Sequence, residues 1–133
     1  MELQDGVFPM EYSGDEPPKE SALYRWNQLV LEATAEKIGR RWDNVKNYKR
    51  FMEEAGFEDV TERRFYWPMS PWAKGTYYKT VAAYFQADML QGVEGISLRV
   101  FGALGWKKPD IEALLADVRQ DMKDTRIKAY MSM

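Results

Sequence analysis

Residues 51–75 read FMEEAGFEDVTERRFYWPMSPWAKG, and in one run they pass from helix to strand to loop. Phe51, Met52 and Ala55 continue an apolar face begun by Val45 and Tyr48. Gly56 stops it, since glycine enters the left-handed conformation that ends helices without a Cβ clash. From Val60 to Trp67 the period changes: Thr61, Arg63 and Phe65 alternate with Val60, Glu62, Arg64 and Tyr66. That alternation predicts a strand, and because neither face is purely apolar until its end, the strand belongs at a sheet edge. Beyond it, residues 65–75 (FYWPMSPWAKG) are too bulky for an ordinary solvent loop and too rich in proline for a helix. They either fill the core or wall a pocket.

Upstream, Ser21 opens a helix whose apolar residues Leu23, Trp26, Leu29, Val30, Ala33 and Ile38 keep a period near 3.6, with Gly39 as its stop. Asp43 is placed to cap a second helix running to Gly56. The opening MELQDGVF reads as a short strand whose ladder partners must come from later in the chain, and PMEYSGDEPP, residues 9–18, reads as a proline-rich acidic loop. Downstream, the pattern predicts a third helix over Thr76–Gln91, striped by Tyr77, Val81, Tyr84, Phe85 and Met89. Gly92 and Gly95 then separate it from a fourth, Ile96–Leu104. Pro109 fits the first turn of a fifth helix striped by Ile111, Leu114, Leu115, Val118 and Met122. The tail RIKAYMSM, residues 126–133, has strand character. The fold class is therefore α+β and predominantly helical, about five helices with a small three-stranded sheet, in one domain spanning 1–133.

Composition narrows the chemistry. Nineteen Lys and Arg against 21 Asp and Glu leave a net charge of −2, which gives no electrostatic footprint for nucleic acid or anionic lipid. With no Cys and no His, disulfides, thiol nucleophiles and imidazole bases are excluded. Proton transfer falls to Asp, Glu, Lys or Tyr. Carboxylates do not cluster at metal-ligand spacing, so no metal is expected. No apolar run approaches the ~20 residues that span a bilayer, and MELQDG lacks a secretory core, so the expectation is a soluble, cytoplasmic protein without a membrane partner. Five Trp, eight Tyr, six Phe and eight Met are many for 133 residues, and such residues line pockets and interfaces as well as cores.

Taken in order, ELQD, SALYRWNQLVLEA, AGFEDV, WPMSPWAKG, GVEGISLRVFGALGW and VRQDMKDTRIKAY resemble the C-terminal half of fungal S-adenosylmethionine-dependent methyltransferases associated with secondary-metabolism regulation and natural-product pathways. The resemblance implies one half of a Rossmann-like sheet, beginning at the family's fifth strand and ending part-way through its seventh, with four strands and their helices lacking a counterpart. It also implies that the cofactor's glycine-rich turn is missing, because no G-x-G occurs. Lys128 stands where the family usually carries His. Removing the fourth strand exposes the edge of the fifth, which invites pairing with another chain. The expectation is a homodimer through that edge or through exchanged elements.

In the parent fold the segment after the sixth strand forms the substrate side. The resemblance thus points to Trp67, Met69, Trp72, Tyr77, Tyr78, Met89, Arg99, Phe101 and Trp106 around a hydrophobic small molecule, with Lys74 at the mouth. Glu94, between two glycines at a predicted helix start, Asp5 at the end of the first strand, and Tyr84 complete the candidate catalytic set. For each, a plain structural role competes: core or interface for the aromatics, a first-turn helix stabiliser for Glu94, a turn for Asp5. The leading expectation is a non-methylating, cofactor-independent enzyme that promotes cyclisation, rearrangement or isomerisation of a polyketide or terpenoid intermediate. The alternatives are a pseudo-methyltransferase that binds a partner protein, and a fragment of a genuine methyltransferase. Because the sequence starts at Met, the expectation is an autonomous unit rather than an arbitrary fragment.

Overall fold

The computed structural model describes residues 1–14 and 18–133. Strand β1 spans Val7–Tyr12 and helix α1 Ala22–Ala33. A π-helical turn, Thr34–Ile38, and a 3-10 segment, Trp42–Asn47, lead to α2 over Tyr48–Glu54. Strand β2, Tyr66–Pro68, then precedes α3 over Thr76–Ala103, α4 over Lys108–Lys123 and β3 over Ala129–Ser132. The fold is α+β as expected, with four α-helices among the described residues.

Local signals set most boundaries. Ser21 caps α1, its Oγ accepting the Tyr24 N–H at 3.2 Å. Gly39, at φ 75°, ends the helical run. Pro109 sits in the first turn of α4. The third and fourth predicted helices are one: α3 runs straight through Gly92 and Gly95, because burial of Val93, Ser97 and Val100 on its inner face outweighs the ~1 kcal/mol that each interior glycine costs. Asp43 does not cap a helix either. It accepts two hydrogen bonds from Arg41 (3.0 and 2.7 Å) beside a 3-10 turn, and α2 behind it buries none of its residues.

The strands are also displaced. The first is not MELQDGVF but VFPMEY, which keeps Val7 and Phe8 and carries residues 9–12 of the predicted loop into the sheet; residues 15–17 of that loop lie outside the described residues. The middle strand shrinks from Val60–Trp67 to Tyr66–Pro68, although paired backbone bonds between Phe65 and Met133 extend its ladder by one residue. The order is β1–β3–β2 with β3 antiparallel to both neighbours, so β1 and β2 are the edges and run parallel to each other. β1 is irregular between the Val7–Ser132 and Glu11–Tyr130 pairs. There the Met10 N–H donates to Asn27 Oδ1 at 3.0 Å, and Asn27 Nδ2 donates back to the Leu23 carbonyl at 2.9 Å. A fully buried amide side chain thus satisfies the strand where its ladder fails.

The core lies between the sheet and α1, α3 and α4. Phe8, Met10, Ala129 and Met131 supply its sheet side; Trp26, Phe101, Leu115 and Met122 are among its largest helical members. Three hydrogen bonds tie these elements together. Trp26 Nε1 donates to Ser97 Oγ at 2.8 Å, and Gln86 Nε2 donates to the Met122 carbonyl at 2.8 Å and the Met69 carbonyl at 3.3 Å. No described helix is long and apolar enough to cross a membrane.

Candidate functional site

The residues expected around one pocket divide into three places. Met69, Met89 and Phe101 are buried in the core. Trp67 packs edge-on against Phe85 at 5.6 Å, and Trp72 donates its Nε1–H to the Ala129 carbonyl at 2.9 Å, so both rings hold β2 and the following loop onto neighbouring elements. Tyr77, Tyr78 and Tyr84 stand on the outer side of α3, Tyr77 and Tyr78 in contact with each other at 5.3 Å. Lys74 and Arg99 are exposed. Glu94 lies mid-helix and faces Arg119 of α4 at 3.7 Å; Asp5 is exposed, accepting from the Gly6 N–H and from Tyr48 Oη at 3.3 Å. The structure therefore does not bring Glu94, Asp5, Lys74 and Tyr84 together. Trp106 stacks on Phe101 at 5.3 Å and carries the Arg25 guanidinium 5.5 Å over its ring.

A different constellation forms on the sheet face turned away from the helices. β-Strand alternation sends Ala129 and Met131 into the core and Tyr130 and Ser132 the other way. Registry then sets Glu11 opposite Tyr130 and Tyr66 opposite Ser132. Tyr130 Oη donates to Glu11 Oε2 at 2.9 Å and Ser132 Oγ to Glu11 Oε1 at 3.3 Å, so the carboxylate is held by two hydroxyls. The Tyr66 ring meets Tyr130 edge-on at 5.7 Å and the Trp72 ring lies 6.3 Å from it. Burial first, and the Glu11 carboxylate second, push the Tyr130 phenol above its ordinary range. Arg64 is held by Glu62 at 3.0 Å, and among the described residues Glu11 has no ion-pair partner within 4 Å. Such a cluster can accept a proton at Glu11 and present ring faces to an apolar or cationic group.

Only Trp72 of this cluster stood among the expected residues. Glu11 falls in the loop that the sequence predicts over residues 9–18, and the partners that hold it lie 119 and 121 residues away, a pairing that periodicity does not encode. A second feature is an open groove of about 450 Å³ between α1 and α4, lined by Lys19, Tyr24, Arg25, Gln28, Leu114 and Asp117. It continues past Arg25 and Leu114 to a further open volume of about 560 Å³ beside Trp106 and Asp110. Of the expected site residues, Trp106 alone lines it.

Comparison with known proteins agrees with the motif order. The chain is 27% identical over 131 residues to the probable methyltransferase tdiE of Emericella nidulans, covering 98% of this chain and 41% of that protein. It is 29% identical over 130 residues to the methyltransferase pytC of Aspergillus terreus, covering 97% and 40%. The secondary metabolism regulator laeA of Monascus pilosus is 32% identical over 110 residues, 82% of this chain and 30% of that protein. The chain thus spans about two-fifths or less of these relatives' length, and it matches a C-terminal fragment of S-adenosylmethionine-dependent methyltransferases. No family model matches it, and no solved structure does.

Proposed function

We propose that this chain, as a relative of the C-terminal portion of fungal methyltransferases, is the substrate-side portion of a methyltransferase-like unit of secondary metabolism and transfers no methyl group alone. The observation that carries the proposal is the half-covered sheet. Helices α1, α3 and α4 pack on one face of it, while Glu11, Tyr66 and Tyr130 stand on the other. An antiparallel sheet can leave one face to solvent, whereas the Rossmann-like sheet that the resemblance implies is covered on both, so the open face is where a second layer would sit. The relatives, of which this chain covers 30–41%, have the length to supply that second layer and the glycine-rich cofactor turn. Calorimetric titration with S-adenosylmethionine is expected to give no binding heat from the chain alone. Adding the separately produced N-terminal part of a relative such as tdiE is expected to restore it. Micromolar affinity of the chain by itself overturns the proposal.

The Glu11 cluster favours a second reading, the cofactor-independent cyclase or isomerase. A carboxylate held by two hydroxyls beside three rings suits an isomerisation in which Glu11 takes a proton from one carbon of a hydrophobic polyketide or terpenoid substrate and returns it to another. Positioning and hydrogen bonding supply much of such a barrier reduction without a nucleophile. An α,β-unsaturated ketone probe incubated in heavy water reads this as deuterium uptake. Uptake should fall at least tenfold in Glu11→Gln, and equal uptake by the variant refutes the reading. The partner-binding alternative rests on the exposed tyrosines of α3.

A further inference from the structure

We infer that two copies of this chain pair through α3, the two helices crossing antiparallel with Tyr84 of each over the partner's Gly95 and Tyr77 over the partner's Gly102. The inference is independent of the methyl-transfer reading, and it moves the dimer expected from the sequence off the sheet edge. Helix α3 has 28 residues and buries Ala82, Phe85, Met89, Val93, Ser97 and Val100 on one side. The opposite side carries a second stripe, which steps alternately by four and three residues from Tyr77 through Val81, Tyr84, Asp88, Gln91, Gly95 and Leu98 to Gly102. That spacing is the one by which a helix presents a continuous seam to another helix. Along it Tyr77 is 65% and Tyr84 77% exposed, large apolar surfaces seven residues apart, of which only Tyr77 has an aromatic neighbour, Tyr78, among the described residues.

The glycines supply an observation of a different kind. Gly95 and Gly102 are also seven residues apart, and each weakens the helix by about 1 kcal/mol relative to alanine. A Cβ added at either would meet nothing within 4 Å among the described residues, so no contact there requires glycine. Close approach from outside does require it, because only glycine lets a foreign ring lie on the helix backbone. The positions are self-complementary. Tyr84 and Gly95 are equidistant from the midpoint between Met89 and Leu90, and so are Tyr77 and Gly102. A single two-fold axis at that point seats all four rings on all four glycines at once, which is the condition for a closed isologous pair. At its centre Asp88 meets the partner's Gln91, whose amide can donate to the carboxylate and fix the register. Four rings covering about 150 Å² each, counted with the surfaces they cover, bury about 1,200 Å², the lower end of stable specific interfaces.

Light scattering during size exclusion, at several loading concentrations, is expected to show a mass twice the 15.6 kDa of the chain. A single mass of 15.6 kDa at the highest concentration overturns the inference, as does any assembly other than a dimer. Gly95→Leu adds bulk where the ring should lie and strengthens the helix, so it is expected to weaken dimerisation at least tenfold while the monomer unfolds at a higher temperature. A Gly95→Leu protein that dimerises as well as the parent refutes the register. Because the chain holds no cysteine, the double variant Tyr84→Cys, Gly95→Cys is expected to oxidise to a covalent dimer that thiols reverse. No covalent dimer under oxidising conditions counts against the same register without relying on folding stability.

Discussion

Replacing Asn27 by leucine tests how β1 is held where its ladder breaks. The side chain is 1% exposed and makes two hydrogen bonds, accepting from Met10 N–H at 3.0 Å and donating to the Leu23 carbonyl at 2.9 Å. Leucine matches its size and leaves no large cavity, so the change is chiefly electrostatic. The Leu23 carbonyl lies within α1 and keeps its helical role, and losing the second donor there costs little. Met10 differs: its N–H falls in the irregular stretch of β1, and once unpaired it carries the full penalty of a buried donor, about 1–3 kcal/mol. The added apolar burial of leucine offsets part of this, leaving a net loss of about 1–2 kcal/mol. For a domain of this size that lowers Tm by up to roughly 8 °C. Urea unfolding should show a lower midpoint with an unchanged slope, since the surface exposed on unfolding is the same. A loss below about 0.5 kcal/mol would mean that Met10 finds another acceptor, and the account of this edge would be wrong.

Other substitutions separate packing from charge. Trp26→Phe removes the donor to Ser97 and opens space in the core. A loss of about 2–3 kcal/mol is expected by the same denaturation, and Ser97→Ala, which keeps tryptophan's bulk but leaves its buried N–H unpaired, should cost about 1–3 kcal/mol. Burial, with Tyr24 and Asp121 adding to it, raises the Tyr12 phenol far above its ordinary range, and its buried hydroxyl has no partner among the described residues. A raised folded value means stability that is present below about pH 10 and lost as pH rises beyond it. Tyr12→Phe should therefore stabilise by up to about 1 kcal/mol at pH 7 and lose less stability between pH 8 and 10.5 than the parent; equal losses would refute this. The Arg41 guanidinium holds Asp43 below the usual carboxylate range, so its contribution is present above pH ~4 and lost as pH falls below that. Arg41→Ala should flatten that acid limb in a pH series of melting temperatures, and an unchanged limb would exclude the pair as its source.

The features legible in the sequence were those that one turn of chain decides. Ser21 as a cap, Gly39 as a stop and Pro109 in a first turn need only neighbours to act, and each does so in the structure. The expectations that failed had their cause further away. Pro9 marked a loop, yet a residue without an N–H is tolerated on an edge strand, and β1 is an edge because β3, more than a hundred residues on, pairs one side of it. Gly92 and Gly95 marked a break, yet the inner face of α3 is fixed by contacts to α1 and α4 that propensity ignores. The Glu11 cluster needed the register of three strands at once. Gly95 is informative because neither level explains it. Local propensity argues against glycine there, and the packed chain leaves open space where a side chain could stand. A glycine that weakens its own helix, and whose added Cβ would meet nothing among the described residues, is what the proposed pairing of two α3 helices would account for, the exposed tyrosines of α3 standing at the matching spacing.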